Sequence, residues 1–124
     1  MKNTNFSFKK RLKSFAYAFN GLKILLKEEH NARIHLVITI LVVVAGFVFK
    51  ISDYEWTAVL LCIGLVFSLE IINSALENLC DFVSPQKHEI IKKVKDLSAA
   101  AVLFSAIISV IIGGIVFLPK INLL

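Results

Sequence analysis

The chain has 124 residues, of which 57% are hydrophobic, and its formal net charge at pH 7 is +5. This length leaves room for one domain, residues 1–124, and the composition is typical of membrane proteins rather than soluble ones. The sequence contains neither Gly-x-x-x-x-Gly-Lys-Ser/Thr nor Gly-x-Gly-x-x-Gly, which excludes nucleotide binding through those two glycine-rich loops.

The N-terminal segment carries a narrow apolar stripe at helical spacing and predicts a helix over about residues 6–28. Several lysines lie off that stripe. The apolar residues that form it recur at steps of four and three: Phe8, Leu12, Phe15, Phe19, Leu22 and Leu26. This pattern predicts an amphipathic helix lying in the membrane interface. Tyr17 projects about 180° from Phe8, near Lys10 and Lys13, where an aromatic ring could stack on a nucleobase. Periodicity alone favours a tyrosine at the level of the lipid headgroups.

Three long apolar runs follow, and they predict membrane-spanning helices at about residues 34–50, 56–82 and 85–118. Trp56 is a plausible interface anchor at the start of the second span. Ser84 and Pro85 have the order of a helix N-cap followed by proline at the first helical position. Gly113 and Gly114 are expected to permit close helix contact. The sequence therefore predicts an all-α membrane protein with three spans after an interfacial helix.

The distribution of basic residues predicts the orientation in the membrane. Residues 1–33 hold eight Lys and Arg against two Glu, and residues 81–96 hold four Lys against three acids. The other polar stretches contain Lys50 beside Asp53 and Glu55, and Lys120 alone. Positive charge is concentrated in cytoplasmic segments of membrane proteins. The N-terminus and the loop before the third span are therefore predicted to be cytoplasmic, and nucleic acid is not expected as a partner.

The second span ends in a polar stripe that is the most informative feature of the chain. Glu70, Asn73, Glu77 and Asp81 are three, four and four residues apart, so they fall within about 80° on a helix. Residues 56–69 before the stripe contain no charged side chain. Carboxylates at the edge of a bilayer are functional candidates by default. The structural alternative is an acidic face that pairs with neighbouring helices.

Basic residues at the start of the third helix could complement these acids. His88, Lys92 and Lys95 are spaced four and three and would share one face of a helix. The alternative is a solvated basic face that follows the positive-inside rule, but Lys95 abuts the membrane and is expected to have a partner. Glu29 and Arg33 could form an i,i+4 ion pair, which the residues alone favour over metal binding.

Three segments resemble one protein family. The string EIINSALENLCD at 70–81, the string KDLSAAAV at 95–102 and the string EHNARIH at 29–35 resemble the small bacterial membrane lipid kinases that phosphorylate diacylglycerol or undecaprenol. The resemblance covers nearly the whole chain. It implies ATP-dependent phosphorylation of a membrane lipid alcohol at the cytoplasmic face of the bacterial inner membrane, feeding phospholipid or lipid-carrier metabolism.

The resemblance also assigns roles to residues of this chain. Glu70 is the expected catalytic base, and Glu29 and Glu77 are the expected ligands of Mg²⁺, an ion that prefers oxygen ligands. The position of Glu70 at the hydrocarbon end of the stripe agrees with a base that meets a lipid hydroxyl. The expected ATP contacts are Lys10, Lys13, Tyr17, Glu29, Asn73, Glu77, Asp81, Gln86, Lys87, His88, Lys95 and Asp96. The expected lipid contacts are Ser14, Phe19, Arg33, His35, Glu70 and Ala99.

The resemblance implies a homotrimer whose sites are shared between neighbouring chains, and from the separation of Glu29 and Glu70 in sequence we expect different chains to contribute them. Three positions depart from the family pattern: Ala32 where relatives often have phenylalanine, Lys92 where a small residue is usual, and His35 in place of an acid. The run Arg33-Ile34-His35 favours undecaprenol over diacylglycerol as the acceptor.

Two non-enzymatic alternatives remain open from the sequence. One is a small oligomeric membrane protein, such as a cation-conducting assembly lined by the acidic stripe. The other is a peripheral membrane scaffold that uses the basic N-terminal helix. Neither alternative explains why Tyr17, Glu29, His88 and Lys95 occur together in this chain.

Overall fold

The computed structural model describes residues 5–122, and every regular element in that range is a helix. The four helices are α1 (Phe8–Glu28), α2 (His30–Val48), α3 (Asp53–Val83) and α4 (Glu89–Ile121). Helices α2, α3 and α4 are each long and apolar enough to cross a membrane. The prediction of an all-α protein with three candidate membrane spans is therefore confirmed.

Helices α1 and α2 are separated by a single residue, Glu29. Its backbone adopts an extended conformation, with φ −103° and ψ 110°, so the helical path breaks there. The Glu29 N–H still donates to the carbonyl of Leu25 at 2.9 Å and thereby closes the last turn of α1. Leu25 and Ala32, on either side of the break, are buried. Their burial fixes the α1–α2 corner against the rest of the chain.

The turn from α2 to α3 satisfies its backbone groups in the Schellman pattern. The N–H of Ile51 donates to the carbonyl of Gly46 at 3.1 Å, and the N–H of Lys50 donates to Phe47 at 3.3 Å. Lys50 supplies the left-handed conformation that this motif requires, with φ 52°. Ile51 is then directed into the core, where it is buried beside Val59 and Val116.

Helix α3 begins with a capping box. The Ser52 hydroxyl accepts from the N–H of Glu55 at 3.2 Å, while the Glu55 carboxylate accepts from the N–H of Ser52 at 2.9 Å. The other carboxylate oxygen of Glu55 accepts from Lys120 at 2.7 Å. This one glutamate therefore caps α3 and also joins its first turn to the last turn of α4.

The predicted start of the third span at Pro85 was wrong, because α4 begins four residues later. Ser84 ends α3, and its hydroxyl donates to the carbonyl of Gln86 at 3.0 Å instead of capping a new helix. The cap of α4 is His88, whose Nδ1 accepts from the N–H of Ile90 at 3.1 Å. Residues 84–88 are consequently a short connection between helices, and α4 continues through Pro119 to Ile121.

The α3–α4 hairpin makes the most extensive helix contact, and α2 packs against α3. The close approach predicted at Gly113 and Gly114 is not found, because a Cβ at Gly113 would meet no side chain of residues 5–122 within 4 Å. The tight position is Gly46, where a Cβ would lie 2.6 Å from the Trp56 ring. The Trp56 ring also packs against Phe47, with their centroids 4.9 Å apart.

This contact generates a stability prediction. Gly46→Val should destabilise the fold by about 1–3 kcal/mol, because the added side chain overpacks the α2–α3 contact. The measurement is the thermal unfolding midpoint of detergent-solubilised protein. Gly64→Val is the matched control, since a Cβ at Gly64 meets nothing within 4 Å in the described structure. Equal midpoints for the two variants would contradict this account.

Candidate active site

Glu70 is the most deeply buried acid of the described chain. Only 2% of its surface is exposed, and its Oε1 has no hydrogen-bond partner in residues 5–122. An unpaired buried carboxylate oxygen is costly, because the group has lost its water without a full replacement. Such an atom in a native structure calls for an explanation, and a catalytic role is one of the recognised ones. Glu70 is therefore the centre of the candidate active site.

His35 approaches Glu70 from the neighbouring helix. The distance from His35 Nε2 to Glu70 Oε1 is 3.1 Å, although the direction falls short of hydrogen-bond geometry. Residue 35 lies on α2 and residue 70 on α3. The sequence placed both among the lipid-contacting residues, and the structure brings them together.

Glu29 is held against the same stripe of α3. The hydroxyl of Ser74 donates to Glu29 Oε1 at 3.1 Å, and Ser74 is itself only 6% exposed. Ser74 lies one helical turn after Glu70. The residue that breaks the helix between α1 and α2 thus delivers its carboxylate next to the predicted base.

Asn73 and Glu77 complete this cluster. Asn73 Nδ2 donates to Glu77 Oε1 at 3.4 Å, whereas the buried Oδ1 of Asn73 has no partner in the described chain. Glu77 lies on the same helical face as Glu70, two turns further along α3. We define the acidic cluster as Glu29, His35, Glu70, Asn73, Ser74 and Glu77. It lies within a single chain. The expectation that different chains contribute Glu29 and Glu70 stays a prediction, and a subunit-mixing experiment distinguishes the two arrangements.

A second group of predicted residues lines an open cleft between the end of α3 and the start of α4. The cleft has a volume of about 510 Å³. Lys95 Nζ donates to Asp81 Oδ1 across it at 2.6 Å, so the partner expected for Lys95 is present. The other lining residues include Gln86, Lys87 and His88. Glu77 lies one helical turn before Asp81 on α3, so along this helix it stands between the acidic cluster and the cleft.

Lys92 and Asp96 pair with each other. Their side chains form an i,i+4 ion pair at 2.6 Å and are largely exposed. Such a surface pair contributes little to stability, so both side chains are available to a ligand. Lys92 also lines the cleft, whereas Asp96 does not.

The predicted ATP-contacting residues of α1 lie apart from this cleft. Helix α1 contacts α2 and α3, and within residues 5–122 it makes no contact with α4. Tyr17 is 70% exposed, and Lys10 and Lys13 are exposed as well. The cleft that contains residues 86–88 is accordingly lined by no α1 residue of the described chain.

The predicted lipid-contacting residues are also dispersed. Arg33 does not pair with Glu29, because its Nη2 donates to the carbonyl of Lys27 at 3.1 Å and so binds the C-terminal end of α1. The Ser14 hydroxyl donates to the carbonyl of Lys10 within α1. Phe19 and Ala99 are exposed on the surfaces of α1 and α4. Of the lipid set, His35 and Glu70 are the residues in mutual contact.

The carboxylates of Glu29 and Glu77 are suitable ligands for a magnesium ion that is also bound by the phosphates of a nucleotide. Residues 5–122 contain no cluster of three or more His, Cys, Asp or Glu that could bind a metal ion alone. Mg²⁺ usually takes one or two carboxylates and completes its shell with water and phosphate oxygens. Glu29 and Glu77 can supply those carboxylates, and the unpaired Asn73 oxygen beside them agrees with an acceptor-rich site.

Comparisons with known proteins identify the family. The family profile described as prokaryotic diacylglycerol kinase matches residues 16–117. The chain is 39% identical over 108 residues to the undecaprenol kinase of Bacillus subtilis, covering 87% of this chain and 88% of that protein. It is 37% identical over 109 residues to a diacylglycerol kinase of Synechocystis (87% of this chain, 62% of that protein). It is also 30% identical over 111 residues to the diacylglycerol kinase of Escherichia coli K12 (90% and 91%).

The chain belongs to the prokaryotic diacylglycerol kinase family. By class it is a membrane lipid kinase, which confirms the predicted family and the predicted enzyme class. Family membership gives no support to the alternative of a non-enzymatic membrane assembly.

Two side chains of the site were not predicted from the sequence. Ser74 binds Glu29, and Asn78 Nδ2 donates to the Ser74 carbonyl at 2.8 Å. The available signal was the spacing of Ser74, four residues after Glu70 and therefore on nearly the same face of α3. A serine in a helix is so often unimportant that this spacing carried no weight until Glu29 was placed opposite it.

The location of both acids in one chain predicts the outcome of a subunit-mixing experiment. A mixture of Glu29→Ala and Glu70→Gln proteins should recover no activity, because every cluster built from a single chain keeps one lesion. Subunit exchange would be verified by co-purification through a tag on one variant, and phosphoryl transfer would then be measured. Recovered turnover after verified exchange would show that neighbouring chains contribute the two acids.

Proposed function

We propose that the protein transfers the terminal phosphoryl group of ATP to the hydroxyl of a membrane lipid alcohol and so forms the lipid monophosphate. The observation that carries this proposal is the buried, incompletely paired carboxylate of Glu70, which lies against His35 of α2 and shares a helical face with Glu77. Membership of a lipid kinase family supports the reaction class.

Glu70 is the proposed general base. As the lipid hydroxyl oxygen attacks the terminal phosphorus, its proton passes to the Glu70 carboxylate and ADP leaves. The buried site of Glu70 favours proton acceptance from a lipid, since little water competes there. A base positioned in this way usually contributes about 10²–10⁴-fold to the rate.

Glu29 and Glu77 are the proposed ligands of Mg²⁺, an ion that would neutralise charge on the phosphates of ATP when bound. Ser74 and Asn73 orient these two carboxylates through their hydrogen bonds. The proposed ATP contacts at one end of the hairpin are five residues that line the cleft, together with Asp96 beside it: Asp81, Gln86, Lys87, His88 and Lys95. Lys95 can offer its positive charge to a phosphate because it is anchored by Asp81.

The proposed assembly is a homotrimer in the bacterial inner membrane, with a cytoplasmic N-terminus and α1 lying in the interface. The separation of α1 from α4 within one chain supports contributions from a neighbouring subunit. Lys10, Lys13 and Tyr17 would then reach the nucleotide cleft of an adjacent chain. Ser14, Phe19, Arg33 and Ala99 would contact lipid at the edges of that site.

Undecaprenol is the proposed acceptor, ahead of diacylglycerol. The supports are the 39% identity to the undecaprenol kinase of Bacillus subtilis and the Arg33-Ile34-His35 sequence. The product would enter lipid-carrier metabolism of the cell envelope. With diacylglycerol as acceptor, the product would instead enter phospholipid synthesis.

A direct assay tests the reaction, its acceptor and its base together. Purified protein in lipid micelles with labelled ATP should phosphorylate undecaprenol faster than diacylglycerol. Glu70→Gln should reduce turnover by at least about 10²-fold while leaving nucleotide binding nearly unchanged, because it removes a proton acceptor and no metal ligand. If the variant keeps more than about a tenth of the wild-type rate, Glu70 is not the base.

The metal assignment predicts a linked defect. Glu29→Ala and Glu77→Ala should each raise the Mg²⁺ concentration needed for half-maximal activity and weaken ATP binding, since the ion and the phosphates are held together. Titrations of Mg²⁺ at fixed ATP, and of ATP at fixed Mg²⁺, measure both effects. Glu28→Ala, which removes an exposed acid one residue earlier, is the matched control. A loss of thermal stability without either shift would refute the assignment.

A further inference from the structure

His35 occupies a boundary between the acidic cluster and an apolar cavity inside the bundle. The cavity has a volume of about 230 Å³ and is lined by residues of α2, α3 and α4, including His35, Thr39, Val66 and Ser109. On its other side, the His35 ring brings Nε2 to 3.1 Å from Glu70 Oε1. The His35 side chain is 24% exposed, whereas that of Glu70 is 3% exposed.

Every acid in the cluster has one polar neighbour that limits its movement. Ser74 donates to Glu29, and Asn73 donates to Glu77. For Glu70, the close polar contact from another helix within residues 5–122 is with His35, and Oε1 receives no hydrogen bond from that part of the chain. His35 is therefore the neighbour available to orient this carboxylate from outside its own helix.

A glutamate side chain has three rotatable bonds, and an unrestrained carboxylate would sample several positions. Catalytic groups reach full efficiency when neighbouring side chains hold them within a fraction of an ångström of the productive geometry. Contacts of this kind are often misaligned in the free enzyme and tighten when substrate binds. The short but misaligned His35–Glu70 approach has that character.

We infer that His35 is a positioning residue that fixes the Glu70 carboxylate for proton acceptance from the lipid hydroxyl. The imidazole Nε2 restrains one carboxylate oxygen and leaves the other to take the proton. Because the restraint acts from α2, it also sets Glu70 relative to Glu29, which lies at the start of the same helix. This inference rests on the proposed role of Glu70 as the base.

The contact with Ser74 supports the restraint geometrically. Glu29 and His35 are six residues apart around α2, and their partners Ser74 and Glu70 are four residues apart on α3. In the first contact the acid is Glu29, which precedes α2, and its partner Ser74 lies on α3. In the second contact the acid is Glu70 on α3, and its partner His35 lies on α2. Two such contacts define both the separation and the rotation of α2 on α3.

The test uses two substitutions at residue 35 with different hydrogen-bonding capacity. His35→Phe keeps a ring in the cavity wall but removes the nitrogen, whereas His35→Gln offers an amide N–H at a similar reach. His35→Phe should lower kcat by about 10- to 100-fold, the usual penalty for losing a group that orients an active residue. The KM for ATP should not change, and His35→Gln should recover most of the lost kcat.

Thr39→Val is the control for the cavity wall, because Thr39 lines the same cavity one turn further along α2. It should leave kcat at the wild-type value. Elution volume and thermal midpoint in detergent would verify folding, and His35→Leu replaces His35→Phe if the latter does not fold. The expected kcat for His35→Leu is the same as for His35→Phe.

The outcomes separate this inference from the proposed function. Near-wild-type kcat in His35→Phe or His35→Leu, or equal losses in His35→Phe and His35→Gln, would overturn a positioning role for His35. If Glu70→Gln itself retains turnover, the proposed base fails instead. An inactive Glu70→Gln protein, a slow His35→Phe protein and a recovered His35→Gln protein together support the inference.

Discussion

The architecture depends on one constraint, which is that a carboxylate buried among apolar helices needs polar neighbours. Glu70 follows a stretch without charge and is almost entirely buried, where an isolated charge would be costly. The chain meets this constraint with polar side chains from the corner between α1 and α2. His35 approaches Glu70, and Ser74 binds Glu29. These two contacts join α2 to α3 and assemble the acidic cluster.

The helix break at Glu29 has two consequences that come from the same residue. Its extended backbone ends α1 and allows α2 to leave in a new direction. Its side chain, freed from a helical position, turns toward α3 and accepts from Ser74. Arg33 binds a carbonyl at the end of α1 and so closes the same corner. If the helix continued through residue 29, the corner between α1 and α2 would not form and the Glu29 carboxylate would not reach Ser74.

The α3–α4 hairpin has an ion pair at each end, and the candidate cleft lies at only one of the two ends. Glu55 and Lys120 join the two helices at one end, and Asp81 and Lys95 join them at the other. The second pair borders the open cleft, and Glu77 lies one helical turn before Asp81, between this cleft and the buried Glu70. Helix α2 lies on α3, and the space left between α2 and α4 forms the apolar cavity. The open cleft and the apolar cavity are thus lined by different residues of the bundle, with Asp81 and Lys95 at the cleft and His35 at the cavity.

Local patterns were sufficient to predict the helical class, the three candidate spans and the polar stripe on α3. They were reliable because helical periodicity and long apolar runs are properties of contiguous residues. The start of α4 was placed wrongly because Ser84 and Pro85 have the order of a helix start, whereas His88 forms the cap. The glycine pair in α4 was likewise misinterpreted, and the tight contact is at Gly46.

The sequence by itself determined which side chains form the polar stripe of the candidate site, because the spacing of Glu70, Asn73 and Glu77 puts them on one helical face. It did not determine their partners. The contact of Glu29 with Ser74 spans 45 residues of sequence, and His35 meets Glu70 only because α2 packs on α3. Such contacts depend on the angle at the Glu29 break and on the packing of buried Leu25 and Ala32, which no local pattern encodes. The tertiary structure alone therefore decided that Glu29 of one chain reaches Ser74 of the same chain and that His35 lies against Glu70.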